Sequence, residues 1–325
     1  MSTGQIGILA AIIVYLAAMV YVGFYFSKKG GGDSADEFYL GGRKLGALVT
    51  AMSAEASDMS SWLLMGLPGV AYLTGVADAA WTAIGLAIGT YLNWLIVAKR
   101  LRRYTVVAGN SITIPEFFSN RYRDKSRILV AVSAIFIVIF FIPYTASGFA
   151  ACGKLFSTLF GVSYVPAMIV SAIVIVAYTA LGGFSAASTT DLIQSIVMSF
   201  ALICVVLFGV KTAGGTDVIL SQAGELPGYL SMTQTYMNGE ATEYGAIKIA
   251  SMLAWGLGYF GMPHILLRFM AIEDEKKIKI SRRIATVWVV ISMSVAIFIG
   301  IVGNNLSRNG ALQVLEGSDS EKLII

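Results

Sequence analysis

Apolar positions in this chain fall in long unbroken blocks, not in one-face helical stripes or strand-like alternation. Eight such blocks occupy residues 6–26, 45–69, 77–98, 128–149, 165–181, 192–210, 247–270 and 284–302. A block of about 20 apolar residues, helical and apolar all round, is long enough to cross the ~30 Å hydrocarbon layer. The pattern therefore predicts an all-α polytopic membrane protein with eight transmembrane helices. Polar residues gather between the blocks. Residues 27–43 read as a flexible Gly-rich loop, residues 212–244 as the longest soluble excursion, and the stretch from Gly109 as an interfacial helix.

Composition agrees: 57% of residues are hydrophobic, only 13% are charged, and the mean hydropathy is +0.76. The net charge of +4 is distributed unevenly. The loops after the first, third and seventh blocks hold four, eight and six of the 23 basic residues, the last six counting Arg268 at the end of the seventh block, leaving Lys154, Lys211, Lys248, Arg308 and Lys322 elsewhere. By the positive-inside rule those three loops are cytoplasmic and the amino terminus is outside. The charge is thus a topology signal and not a nucleic-acid footprint. The first five residues lack a basic n-region, so the first block reads as a retained anchor. Cys152 and Cys204 lie in or beside helices without partner spacing, which gives no disulfide or metal framework.

Two blocks are interrupted. The second reads ASDMSSWLLMGLPG and the seventh AWGLGYFGMPHI, both broken by small residues and proline. Paired discontinuous helices mark the binding region of inverted-repeat transporters, because the freed backbone must line a cavity or be buried in protein. Asp58 sits near the middle of the first interrupted block, where a carboxylate costs about 2.5–3.5 kcal/mol on insertion scales. Ser53, Ser57, Ser60 and Ser61 surround it in sequence, and such hard oxygen donors suit an alkali or alkaline-earth cation. Glu55, one turn earlier, reads as a solvated residue of a cytoplasmic vestibule. Trp62, Trp255, Tyr259 and Tyr144 stand beside interrupted or proline-bearing backbone, where a pocket wall and simple packing are equally good explanations.

Other motifs carry less. Gly256, Gly258 and Gly261 spell GxGxxG inside a membrane block, without the strand a dinucleotide site requires. Gly85 and Gly89 form a GxxxG that predicts close helix packing. His264, the sole histidine, reads as a hydrogen-bonding structural residue. Ser188, Thr189, Thr190 and Asp191 have the composition of a helix start, with a role for Asp191 at a cytoplasmic cation exit as the secondary reading. No nucleophile–base constellation is present in the pattern, which argues against an enzyme.

The segments YLGGRKLG from Tyr39, SAEASDMSSWLLMGLPG from Ser53, ITIPEFFSNRYRDKSRIL from Ile112 and WGLGYFGMPHILLRFMA from Trp255 resemble the sodium:solute symporter family. The resemblance extends from the first block to about Gly303. It implies a LeuT-like inverted-repeat fold in a single transporter domain spanning 1–325. Residues 6–26 would be an extra first helix, 45–210 the first five-helix repeat, and 247–302 the opening two helices of the second. It further implies sodium at Asp58 and the backbone carbonyls of Ala56 and Met59, and L-proline against Ser60, Trp62, Gly66, Tyr144, Trp255, Tyr259 and Pro263. Arg43 and Asp191 would influence ion coupling. The implied activity is sodium-driven proline uptake across a bacterial plasma membrane, with lipid as the surrounding medium and no cofactor beyond the ion.

Glu55 and Ser61 stand where the resemblance leads one to expect glycines, which implies an added charge near the ion path. Residues 303–325 are expected to form an external tail, leaving the second repeat incomplete. Three functions remain open on the sequence: proline symport, symport of another small solute (betaine, another amino acid, pantothenate or a sugar), and a non-transporting remnant.

Overall fold

The computed structural model describes residues 3–29 and 34–325. Each of the eight apolar blocks is helical, but their punctuation differs from the sequence pattern. The first block is α1 (Thr3–Lys29). A short helix α2 (Ala35–Leu40) follows where a loop was expected, started by Ser34, whose Oγ accepts from the Glu37 amide at 3.2 Å. Serine with glutamate three residues on is a helix-start signature. The second block is split: α3 (Ala47–Ser61) contains Ser60 at φ 40°, ψ −144°, then a π-helical turn covers Trp62–Gly66, and α4 (Leu67–Thr74) completes it.

The third block is α5 (Val76–Asn93), continued by a second π-helical turn (Trp94–Ala98) into α6 (Lys99–Val107). The stretch after Gly109 forms α7 (Ile114–Tyr122), as expected, with Thr113 as its cap. Then come α8 (Ile128–Phe160) and α9 (Tyr164–Thr212). The long α9 holds both the fifth and sixth blocks, joined at Gly183 with φ 60°, ψ −157°. Only glycine serves there, because a Cβ would fall 2.9 Å from the Phe38 carbonyl oxygen as well as meeting the positive φ.

The long excursion is folded. It contains α10 (Thr216–Gly224) and a hairpin of β1 (Gln234–Met237) and β2 (Glu240–Glu243), so the described chain is not purely helical. Asn238 and Gly239 turn the hairpin with φ 51° and 90°, as a two-residue primed turn requires. The seventh block is α11 (Ala246–Leu253), a 3₁₀ segment (Ala254–Phe260) and α12 (Pro263–Ala271), and the eighth is α13 (Ile278–Arg308). Among the described residues five helices are long and apolar enough to cross a membrane, and a sixth span results if the pair bent by 45° at residues 261–262 is counted as one. The chain is thus a multi-pass membrane protein.

Two compact units are distinguishable. The first is Met1–Asp58, Trp94–Gln194 and Met262–Arg282, and the second is Met59–Asn93, Ser195–Gly261 and Arg283–Ile325. In the first, a parallel backbone bridge joins Leu45 to Ile272, and Ser281 Oγ donates to the Ala47 carbonyl at 2.9 Å. The start of α3 is thereby fixed to the end of α12. In the second, Ile219, Ala223 and Tyr229 of the excursion pack against Ile301 and Val302 of α13. The Tyr229 hydroxyl donates to the Ala71 carbonyl at 2.7 Å, and burial pushes its phenol pKa up. The segment after α13 also packs: a 3₁₀ turn (Gly317–Lys322) places Ser320 so close to Gly69 that a Cβ there would lie 3.0 Å from the Ser320 hydroxyl.

Candidate functional site

In the first unit the polar side chains of α3 are sorted by helix face. Ser53 and Ser57, one turn apart, do not serve Asp58 as their sequence proximity suggested. Their hydroxyls donate to Asp191 Oδ2 at 2.6 and 3.0 Å. Arg268 of α12 meets the same cluster, donating to Ser53 Oγ at 2.9 Å, Ser57 Oγ at 2.7 Å and Asp191 Oδ2 at 2.8 Å. Asp191 is therefore no helix start. It lies well inside α9, beyond the kink at Gly183, and Thr189 and Thr190 bond back to the carbonyls of Ser185 and Ala187 as interior helix residues do.

Asp58 faces elsewhere. Its side chain is only 7% exposed, and the neighbouring basic nitrogen is His264 Nε2 at 3.8 Å, beyond hydrogen-bond reach. Among the described residues no lysine or arginine pairs with it. The expectation that His264 is a hydrogen-bonded structural residue is overturned. Both its ring nitrogens are buried without a hydrogen-bond partner, and its ring stacks on Tyr144 at 5.4 Å and meets the edge of Phe141. Glu55 is likewise corrected. It is buried, 4% exposed, and its carboxyl accepts from the Trp94 indole at 3.3 Å instead of facing a solvated vestibule. A buried Trp94 packed on Phe269 supplies that donor, which the sequence pattern had not singled out.

The backbone leading into the break is held as well. Tyr144 Oη donates to the Ser57 carbonyl at 2.7 Å, three residues before the irregular Ser60. A carbonyl near a helix break needs such a donor where water is absent. Tyr144→Phe keeps the ring stack but leaves this acceptor unpaired, and should lower the unfolding free energy by about 1–3 kcal/mol. Unfolding in mixed micelles measures this, and parental stability would mean the carbonyl is satisfied in another way. At the far end of α12, Arg43 is buried and donates to the carbonyls of Met270 and Ser111 at 2.8 Å each. Burial, then the like charge of Arg102, pull its guanidinium pKa below the ordinary value. Pro263 opens α12, with Met262 extended before it. Ala56 has a packed side chain.

In the second unit Trp62 and Trp255 come together, ring centroids 5.6 Å apart and tilted by 41°. Gly66 makes room for this arrangement, since a Cβ would fall 2.6 Å from Trp62 Cδ1. Ser60 is exposed, while Met59 and Tyr259 are buried. The 3₁₀ segment carrying Trp255 and Tyr259 has its own carbonyl partner: Asn93, fully buried on α5, donates from Nδ2 to the Tyr259 carbonyl at 2.8 Å. Asn93 and Arg268 are the functional candidates that sequence reasoning missed. The available signal was a polar side chain set among apolar neighbours at membrane depth. The GxxxG expectation, by contrast, holds. A Cβ on Gly85 would lie 2.6 Å from the Leu253 carbonyl oxygen, and one on Gly89 would lie 2.4 Å from Gly256 Cα. Cys152 and Cys204 are free thiols.

Interrupted helices and a buried carboxylate with no lysine or arginine partner among the described residues fit a carrier, and comparison supplies the family. Residues 38–316 match the profile described as the sodium:solute symporter family, and the chain belongs to that family, which comprises transporters and not enzymes. It is similar to sodium/proline symporter 2 of Staphylococcus saprophyticus, 41% identical over 292 residues, covering 90% of this chain and 55% of the relative. The sodium/proline symporter of Staphylococcus aureus strain USA300 is 40% identical over the same length and coverage. The chain spans about half the length of the curated relatives it matches. Its fold is similar to a structure described as the substrate-bound outward-open state of a Na+-coupled sialic acid symporter, with a TM-score of 0.80 at 18% identity, covering 97% of this chain and 64% of that one.

Proposed function

We propose that the chain belongs to a carrier that couples sodium entry to L-proline uptake across a bacterial plasma membrane. The observation that supports this most is the continuous family match over residues 38–316 combined with 40–41% identity to sodium/proline symporters. Asp58 adds a physical reason. Among the described residues it has no basic partner within hydrogen-bond reach, so an external cation is the natural counter-charge. Sodium is assigned to Asp58 with the backbone carbonyls of Ala56 and Met59. Proline is assigned to Ser60, Trp62, Gly66, Tyr144, Trp255, Tyr259 and Pro263, and Arg43 and Asp191 to coupling. The topology proposed is eight spans with the amino terminus outside: an extra first helix at 6–26, a first repeat at 45–210, and the opening of a second at 247–302 within one transporter domain.

The test is uptake of labelled L-proline by cells that lack their own proline carriers and express the gene, with and without sodium. Asp58→Asn removes the charge but keeps the shape. A charged hydrogen-bonding contact is worth about 1.5–3 kcal/mol, so sodium affinity should fall on the order of 10- to 100-fold. Uptake indifferent both to sodium and to Asp58→Asn would sink the reading. A competition panel of betaine, other amino acids, pantothenate and sugars then fixes the solute, with failure of proline to compete counting against it.

A further inference from the structure

Arg268 is the most buried cation among the described residues of the first unit. Besides Ser53, Ser57 and Asp191, Nη1 donates to the His264 carbonyl at 2.7 Å, and the guanidinium lies over the Phe184 ring, 5.3 Å from its centroid. The Arg268 and Asp191 side chains are 8% and 15% exposed. Three segments meet there: the turn of α3 immediately before Asp58, the part of α9 beyond Gly183, and α12. The contributions are unequal. The ends of α3 and α12 are already tied by the Leu45–Ile272 bridge, by Ser281 on Ala47, and by Arg43 on the Met270 carbonyl. What the ion pair adds is the grip on α9, through Asp191.

A buried ion pair is weak evidence for stability, since apolar side chains of similar volume hold helices as well or better. Its distinctive property is that it can part into two solvated ions, giving an element with two discrete states. In sequence Arg268 stands just before the basic loop of residues 276–283, on the side that the charge distribution assigns to the cytoplasm. We propose that Arg268 is a built-in cation that holds α9 against α3 and α12, closing the cytoplasmic end of the segment that carries Asp58, and that release of ion and solute inward requires Asp191 to leave Arg268. This rests on the transporter reading above and adds to it a named latch. The Arg268–Asp191 pair remains closed while an outside-facing site is loaded, and its parting exposes the face of α9 around Asp191.

Ser188 offers a probe for that face. It lies one turn before Asp191 on α9, is fully buried, and its hydroxyl has no hydrogen-bond partner, so Ser188→Cys is nearly isosteric. In a background with Cys152→Ser and Cys204→Ser, inside-out membrane vesicles are treated with a membrane-impermeant cationic methanethiosulfonate. Asp191→Asn and Arg268→Gln should each raise the labelling rate of the position-188 thiol at least about tenfold (~1.4 kcal/mol). Arg268→Lys should give an intermediate rate, and exchange of the pair, Arg268→Asp with Asp191→Arg, should bring the rate back below either single variant. A control cysteine at Ala98, buried but outside the cluster, should be unaffected. Unchanged labelling at position 188, or equal increases at positions 188 and 98, overturns the latch. Should Arg268→Gln fail to reach the membrane, Asp191→Asn and Arg268→Lys decide in the same way. Absence of proline uptake by the parent would remove the transport reading instead, and the labelling result would stand separately.

Discussion

Replacing Arg268 with leucine should destabilise the first unit by about 3–5 kcal/mol, whereas replacing Arg268 and Asp191 together by leucine should cost much less than the two single changes combined. The reason lies in what each change strands. Without Arg268, the Asp191 carboxylate remains largely buried and, among the described residues, keeps the Ser53 and Ser57 hydroxyls as its donors. Without Asp191, a guanidinium is left among serine oxygens and the His264 carbonyl, having lost its ion-pair partner among the described residues. Removing both leaves two serines able to bond along their own helix and a space that two leucines can fill. Unfolding of the four proteins in mixed micelles, read by tryptophan fluorescence, gives the coupling energy directly. Additive single effects would mean that the pair does not act as a unit.

That cluster also shows where sequence reasoning stops. Asp58 was legible because a charge in an apolar block is costly wherever the block sits. The partners of Ser53 and Ser57 were not, because they depend on which helix lies against which face of α3. Asp191 was misread for a more specific reason. A Ser-Thr-Thr-Asp run is an excellent helix start, but the chain had already bent at Gly183, and these side chains fall in the interior of α9. Arg268 was counted with the loop charges that set topology, although Leu266, Leu267, Phe269 and Met270 around it carry the apolar signal of a membrane-depth residue.

Two folded segments carry local signals of their own. Asn238-Gly239 between residues of strand character predicts the hairpin, and Ser34 with Glu37 predicts α2, yet both segments read as loop on composition alone. Glu55 is the reverse case. A carboxylate near the inner end of a span is normally solvated, and only the arrival of Trp94 with its indole donor makes burial at that position tolerable. The apolar blocks themselves were read correctly as helices, since an uninterrupted run of that length leaves the backbone no other way to satisfy its polar groups in a membrane.

Gly85 and Gly89 of α5 and Gly256 of the neighbouring 3₁₀ segment should be among the least replaceable positions of the second unit. A Cβ on Gly256 would sit 2.1 Å from the Gly85 carbonyl oxygen and 3.0 Å from Gly89 Cα, and both neighbours are backbone that cannot rotate away. Gly258, two residues on in the same GxGxxG, has nothing within 4 Å of its Cβ position. Gly256→Ala must therefore drive α5 and the 3₁₀ segment apart, at about 1–3 kcal/mol or more, while Gly258→Ala should change stability by no more than about 0.5 kcal/mol. The separation has a second consequence, because Asn93 reaches the Tyr259 carbonyl across the same contact. An outward shift of a few tenths of an ångström at Gly256 lengthens that 2.8 Å bond and leaves both groups short of a partner in a dry interior. Gly256→Ala should thus lose more stability than the steric clash alone predicts, and Asn93→Ala should cost less in the Gly256→Ala background than in the parent. Unfolding of the single and double variants in mixed micelles measures both effects. Equal tolerance of alanine at positions 256 and 258 would refute the packing role of this glycine.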